Sequence, residues 1–199
     1  MAIQFKYNKS AMHELGQQLK IRESALPTLK SKEAALRLEV KKAKKFALEY
    51  DEKLNQTVNE IKDMVRLWVE FDEGLIKLKN ATYSTKTIAG VRIPVLDNLE
   101  FELKEISVYQ KPIWFLDGIQ ILKELTEFSI KRDVNWKAME ILEFARKKTT
   151  QKVNLYEKVQ IPEFNQAISK IKRFLEDEEN LSKSAQKILK RRNEKASQE

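Results

Sequence analysis

His13 is the only histidine in the chain and so the first place to look for proton transfer or metal ligation, because imidazole alone titrates near neutral pH without help. It stands between Met12 and Leu15, close to where a helix should begin. A catalytic triad or a His-rich metal site would have to rest on this one ring, so the position points to a surface or packing role. The run Glu176-Asp177-Glu178-Glu179 could supply carboxylates for acid–base work or for Mg²⁺. Consecutive acids on a helix point to different faces, however, which makes a solvated face the better reading. The four glycines lie at 16, 74, 90 and 118, too scattered to cradle a phosphate. Cysteine is absent, which removes thiolate ligands, thiol nucleophiles and disulfides. Trp68, Phe71, Trp114, Phe115 and Trp136 could stack on nucleic-acid bases. Their helical spacing, or their closeness to a chain reversal, favours a packed core. The residues therefore predict no catalytic site, no metal and no cofactor.

The basic residues remain. Lys41, Lys42, Lys44 and Lys45 crowd one stretch, and Lys187, Lys190, Arg191, Arg192 and Lys195 crowd another. The formal charge is +8, from 38 Lys and Arg against 30 Asp and Glu. Such a charge suits nucleic acid, an anionic membrane surface or an acidic protein surface. A nucleic-acid binder would align its cations on one face, whereas acids are interleaved here throughout. A membrane-remodelling helical dimer would need a basic concave face. The alternative reading is thus a basic coiled-coil scaffold for nucleic acid or a membrane surface. The terminal cluster is denser than solvation of a helix requires, which favours an acidic protein surface. No apolar run approaches the roughly 20 residues of a membrane span, and the first ten residues lack the apolar core of a signal peptide. The expectation is a soluble intracellular protein without direct membrane insertion.

Long helices must carry these residues. Only 42% of the chain is hydrophobic and 34% is charged, with four glycines and four prolines, too few punctuators for many turns. Steps of four and three residues land on Leu36, Val40, Ala43, Ala47, Tyr50, Leu54, Thr57, Ile61, Met64, Trp68, Phe71, Leu75 and Leu78. That is a left-handed coiled-coil seam. Run backwards, the frame reaches Leu29, Leu26, Leu19, Leu15 and Met12, with a kink expected at Pro27. The spacing predicts a helix over about 10–78, on the order of 100 Å long. From 79 to 112 the chain is rich in Thr, Tyr, Ser and β-branched residues. Val91, Ile93 and Val95 alternate with polar or proline positions, as do Leu99, Phe101 and Leu103, and Pro94 and Asp97-Asn98 punctuate the stretch. Period two with turn residues predicts a small β-hairpin. Helical spacing returns after Pro112, with Asp117-Gly118 as a candidate cap. Val134, Ala138, Ile141, Ala145, Thr149, Val153 and Tyr156 advance by eleven residues per three turns. The frame slips at Pro162 and resumes as Phe164, Ile168, Ile171 and Leu175. It then fades through Leu181, Ala185 and Ile188, and the last ten residues are expected to fray.

Two apolar stripes separated by a reversal pair antiparallel, since neither can stay in water. The expected fold is mostly α: a long antiparallel two-helix coiled coil with a small β-hairpin insert at the reversal end. Residues 1–78 form the first helix, 79–112 the hairpin or foot, and 113–199 the second helix, together one elongated domain. The seam is expected to use Leu36, Val40, Ala43, Ala47, Tyr50, Leu54, Ile61, Met64, Trp68, Phe71, Ile141, Ala145, Val153 and Tyr156.

Two segments in this layout resemble a known family. Leu26-Pro27-Thr28-Leu29-Lys30 through Lys32-Glu33-Ala34-Ala35-Leu36 is similar to its Leu-Leu-Lys stretch with a following Lys, acidic residue, Ala and Leu. Lys152-Val153-Asn154, Tyr156-Glu157-Lys158-Val159 and Ile161-Pro162 resemble its Arg-Val-Asn-Ala-Leu-Glu-x-Val-x-Ile-Pro signature. Ala89-Gly90-Val91-Arg92-Ile93-Pro94 resembles its middle segment. The family is that of the D subunits of V-type and archaeal-type ATPases, counterparts of the gamma shaft of F-type enzymes. The resemblance implies a non-catalytic central rotor shaft that couples ATP hydrolysis or synthesis to ion translocation by the membrane ring. The implied partners are the hexamer of catalytic A and B subunits, the small F subunit, and the C/d-type component capping the ring. It implies a cytoplasmic place, peripheral to the membrane. Lys20, Arg22, Lys187, Lys190, Arg191 and Arg192 are the residues expected to face the hexamer.

Overall fold

The side chain of Asn8 caps the first helix, its Oδ1 accepting the Ala11 amide at 2.7 Å, which satisfies one of the amides a helix start leaves open. In a computed structural model, this helix opens the order α1 (Lys9–Lys62), α2 (Val65–Trp68), β1 (Ile76–Ile88), β2 (Val91–Leu103), α3 (Trp114–Asn154), a π-helical turn (Leu155–Gln160) and α4 (Ile161–Ala196). The structure describes residues 4–62, 65–72, 74–104, 112 and 114–196, and for 65 and 194–196 the backbone alone. The chain is mostly α, with an antiparallel two-stranded hairpin between the long helices. Its residues group into two units: 1–31 with 149–199, and 32–148.

In the first unit, the start of α1 packs on α4. Leu15, Phe164, Ala167 and Ile171 are buried together, with Phe5, Met12, Leu19, Ile168 and Leu175 around them. Tyr7 meets the Phe174 ring at 4.9 Å, Arg22 reaches Gln160 and Lys30 reaches Glu157. Partners descend as α1 ascends, so the pair is antiparallel. Pro27 lies inside α1 and the helix continues through it.

The second unit repeats the antiparallel rule. Tyr50 faces Phe128 at 6.2 Å and Asp51 faces Arg132, while Glu33 lies by Arg146. Leu36, Ala43, Ala138 and Leu142 form the helix–helix core, and Ile93 of the hairpin completes it. Ile88 and Val91 pack on the same cluster, so the hairpin, which leaves from the reversal, folds back along the two helices. Its base, at Ile76, closes on an aromatic group: Phe71, Leu75, Phe115 and Ile119, with Trp68 and Trp114.

Four local expectations are corrected. Helix is described over Lys9–Lys62 and Val65–Trp68, and helical structure ends at Trp68 rather than near 78. Asp72 Oδ1 accepts the Gly74 amide at 3.0 Å, an Asx-type turn that ends helical spacing. Leu75 is buried from that turn, and Leu78 stands exposed in β1. The two alternating stretches at 91–95 and 99–103 are one strand, β2, whose partner is 76–88. The turn is the two-residue Ala89-Gly90, with φ of 49° and 77°. Positive φ at both positions matches the twist that strands require of a two-residue hairpin, and glycine meets it without strain. Asp97 is instead a bulge, because Thr82 pairs with Asn98 and Tyr83 with Leu96. Ser84 Oγ donates to Asp97 Oδ1 at 2.8 Å, holding the extra residue. The second helix, finally, begins at Trp114, with Asp117 in its first turn rather than ahead of it, and α4 stays helical to Ala196 where fraying was expected.

Candidate functional site

Two kinds of surface occur along α4, one covered by α1 and one left exposed. Up to Leu175 its apolar positions are covered by α1. From Glu176 to Asn193 every residue is exposed, including Leu181 at 72%, Ile188 at 55% and Leu189 at 58%. Leu181 and Ile188 stand seven residues apart, two turns along one face of the helix.

Charge divides this stretch. Glu176 pairs with Lys172 at 3.8 Å and Glu179 with Lys183 at 2.7 Å. The hydrogen bond from Lys183 holds the Glu179 carboxyl below its ordinary range. The acidic run is thus an ion-paired, solvated helix face. Beyond it, Lys187, Lys190, Arg191 and Arg192 are exposed, and none makes an ion pair among the described residues. Four cations interleaved with Ile188 and Leu189 make a surface that suits an apolar ring or sleeve edged with carboxylates.

Lys20 and Arg22 do not join this cluster. Arg22 sits at Phe164, and Lys187 lies 23 residues further along the same helix, roughly 35 Å at 1.5 Å per residue. Lys20 is exposed. Arg22 is occupied within the unit: Nε donates to Gln160 Oε1 at 2.7 Å, Nη1 to the Gln18 carbonyl at 2.9 Å, and the guanidinium lies 4.5 Å from the Phe164 ring centre.

Among the residues expected in the seam, Leu36, Ala43, Ala47, Phe71 and Val153 are buried, and Val40, Tyr50, Leu54, Ile61, Trp68, Ile141, Ala145 and Tyr156 half-buried. Met64 lies outside the described residues. The expected seam leaves out Leu142, which at 1% exposure is more buried than its neighbour Ile141. A signal for it exists: Leu142, Val153, Phe164 and Leu175 are spaced by eleven residues. Ala167, also buried, is left out as well.

His13 Nε2 lies 3.0 Å from Gln17 Nε2 on an exposed helix face. Trp68, Phe71, Trp114 and Phe115 pack on one another with centroids 4.7 to 5.9 Å apart, Phe71 stacked on Phe115 and the other pairs tilted or edge-on. Among the described residues no group of His, Asp and Glu is arranged to hold a metal ion, and no helix is long and apolar enough to cross a membrane.

Paired long helices, a folded-back hairpin and an exposed basic helix end define a mostly helical protein built on antiparallel helix pairs. The family model for the ATP synthase D subunit matches residues 11–191, and the chain belongs to that family. It is similar to the V-type ATP synthase D subunit of Borreliella burgdorferi, 29% identical over 192 residues and 93% of each chain. It is also similar to the protein of that name from Chlamydia pneumoniae, 30% identical over 182 residues, 89% of this chain and 87% of the relative.

Proposed function

We propose that this chain is the non-catalytic central rotor shaft of a V-type ATPase, coupling ATP turnover in the hexamer of A and B subunits to ion movement through the membrane ring. Family membership supports the complex, and the observation that carries the shaft role is the split along α4. Its first part is zipped to α1, and its last part, with Leu181, Ile188 and Leu189 exposed beside four cations, is left for another surface. A shaft transmits torque only if its helices hold each other, since one helix alone twists and bends easily. It turns only if its outer face slides, which charged side chains allow because surface ion pairs contribute about 0–1 kcal/mol and re-form readily. As an asymmetric shaft turns, each catalytic interface meets a different surface, and that difference in contact shifts its conformational equilibrium.

The other partners follow from the same reading. Leu38, Phe46 and Phe144, at 60%, 49% and 62% exposure in the second unit, suit a side-bound partner such as the small F subunit. The aromatic group of Trp68, Phe71, Trp114 and Phe115 stiffens the end from which the hairpin leaves, and that end suits the component that caps the ring. In this reading the chain stays peripheral to the membrane on its cytoplasmic side.

The test is charge reversal at Lys187, Lys190, Arg191 and Arg192 in the assembled, membrane-reconstituted complex. Lost ATP-driven ion transport with ATP hydrolysis still running is the expected result. Transport and hydrolysis that stay in their original ratio would refute the assignment of this helix end.

A further inference from the structure

The α3–α4 helix is not regular: residues Leu155–Gln160 form a π-helical turn. The Ile161 amide donates to the Tyr156 carbonyl, five residues back rather than four, and Pro162 follows with no amide to donate. A proline inside a helix removes one hydrogen bond and crowds the preceding turn. A widened turn relieves that crowding by letting the ladder slip one residue. The slip weakens backbone hydrogen bonding, so something outside the helix must hold it.

Two α1 side chains do so, and both land on the π turn. Lys30 Nζ meets Glu157 Oε1 at 2.6 Å. Arg22 Nε donates to Gln160 Oε1 at 2.7 Å, while its Nη1 is tied to the carbonyl of Gln18 one turn earlier on α1. The guanidinium lies 4.5 Å from the centre of the Phe164 ring and 6.0 Å from that of Tyr156. Arg22 thus spans the turn from Tyr156 to Phe164, with the last π residue, Gln160, in its grip. Lys30–Glu157 is half exposed at both ends and contributes little. Arg22 is partly buried, charge-assisted in its hydrogen bonds and stacked on a buried ring, which are the conditions under which such contacts are strong.

We propose that Arg22 is a positioning residue: by clamping Gln160 it holds the π turn and sets the angle about the helix axis at which α4 presents its exposed basic end. One residue of ladder slip corresponds to about 100° of rotation about the axis. Whether the turn is π or α therefore decides which way Lys187, Lys190, Arg191 and Arg192 face. Arg22 works from inside the unit rather than as a contact to a partner.

The test is hydrogen–deuterium exchange on the full chain, read peptide by peptide. Arg22→Ala should speed exchange of the amides at 156–163 by about tenfold or more, the scale of one charge-assisted hydrogen bond. Amides of the Leu36–Ala47 stretch should be unchanged. Gln160→Leu, which removes the acceptor and leaves the arginine, should give the same local pattern, and serves if Arg22→Ala folds poorly. The double variant should exchange no faster than the faster single one. Gln160→Glu, which keeps an acceptor and adds charge, should retain protection. Unchanged exchange at 156–163, acceleration spread evenly over the chain, or additive effects of the two substitutions would each overturn the clamp. These readings use the chain alone, so they stand or fall apart from the shaft assignment.

Discussion

Gly118 and Phe71 approach so closely that a Cβ on the glycine would lie 3.0 Å from Phe71 Cε2. Phe71 has little room to retreat, because it is buried and packed on Trp68, Trp114 and Phe115. A residue that looks like a helix cap in the sequence is therefore a packing residue that lets α3 press onto the aromatic group.

Gly118→Ala is accordingly expected to destabilise the chain by about 1 kcal/mol, overpacking outweighing the gain in helix propensity. Gly16→Ala is the control, since nothing lies within 4 Å of the Cβ it would add, and it should stabilise by about 0.5–1 kcal/mol. Thermal unfolding midpoints of the two variants should move in opposite directions.

Leu142 and Ile141 are neighbours with different expected costs. Leu142 is 1% exposed and sits with Leu36, Ala43, Ala138 and Ile93; removing its side chain leaves a cavity. Leu142→Ala should cost about 2–5 kcal/mol, and Ile141→Ala distinctly less. Denaturant unfolding of both decides the point, and equal costs would contradict the packing described.

Arg146 grips Glu143 with two hydrogen bonds, at 2.7 and 2.6 Å. That hydrogen bonding, ahead of the charge attraction, holds the Glu143 carboxyl below its ordinary value of 4.5. A carboxyl with a lowered folded pKa stabilises the chain above its unfolded pKa and loses that contribution as pH falls through the folded value. The stability gap between the parent and Glu143→Gln should be present at pH 7 and close below about pH 4.5. Urea titrations at about pH 7 and about pH 3 measure it; a gap that persists in acid would contradict the assignment.

How much of this was legible in the sequence follows from periodicity. The heptad frame from Leu36 to Ile61 places α1 correctly, because a seam buried on one partner leaves a repeat of 3.5. That same repeat runs on past the true helix end to Leu78, since Phe71 and Leu75 are buried as well, only from a turn. Burial alone does not distinguish a helix from a turn that points inward. The hairpin's existence was legible and its register was not. Asp97-Asn98 looks like a turn, yet Ser84 and Thr82 bind it as a bulge, and those partners lie 13 and 16 residues away. The π turn shows in the sequence only as a frame slip near Pro162. The inward commitment of Arg22 leaves no sequence signal, because a basic residue on a helix edge reads as solvent-facing until its partner, Gln160, is brought beside it.

The proposed shaft role requires this chain to turn. A bead or fluorophore fixed to it, in a complex immobilised through the A and B subunits, reports that motion directly under saturating ATP. Continuous rotation in one direction, its speed following the ATPase rate, is the expected result. A probe that stays still while ATP is hydrolysed at the full rate would contradict it.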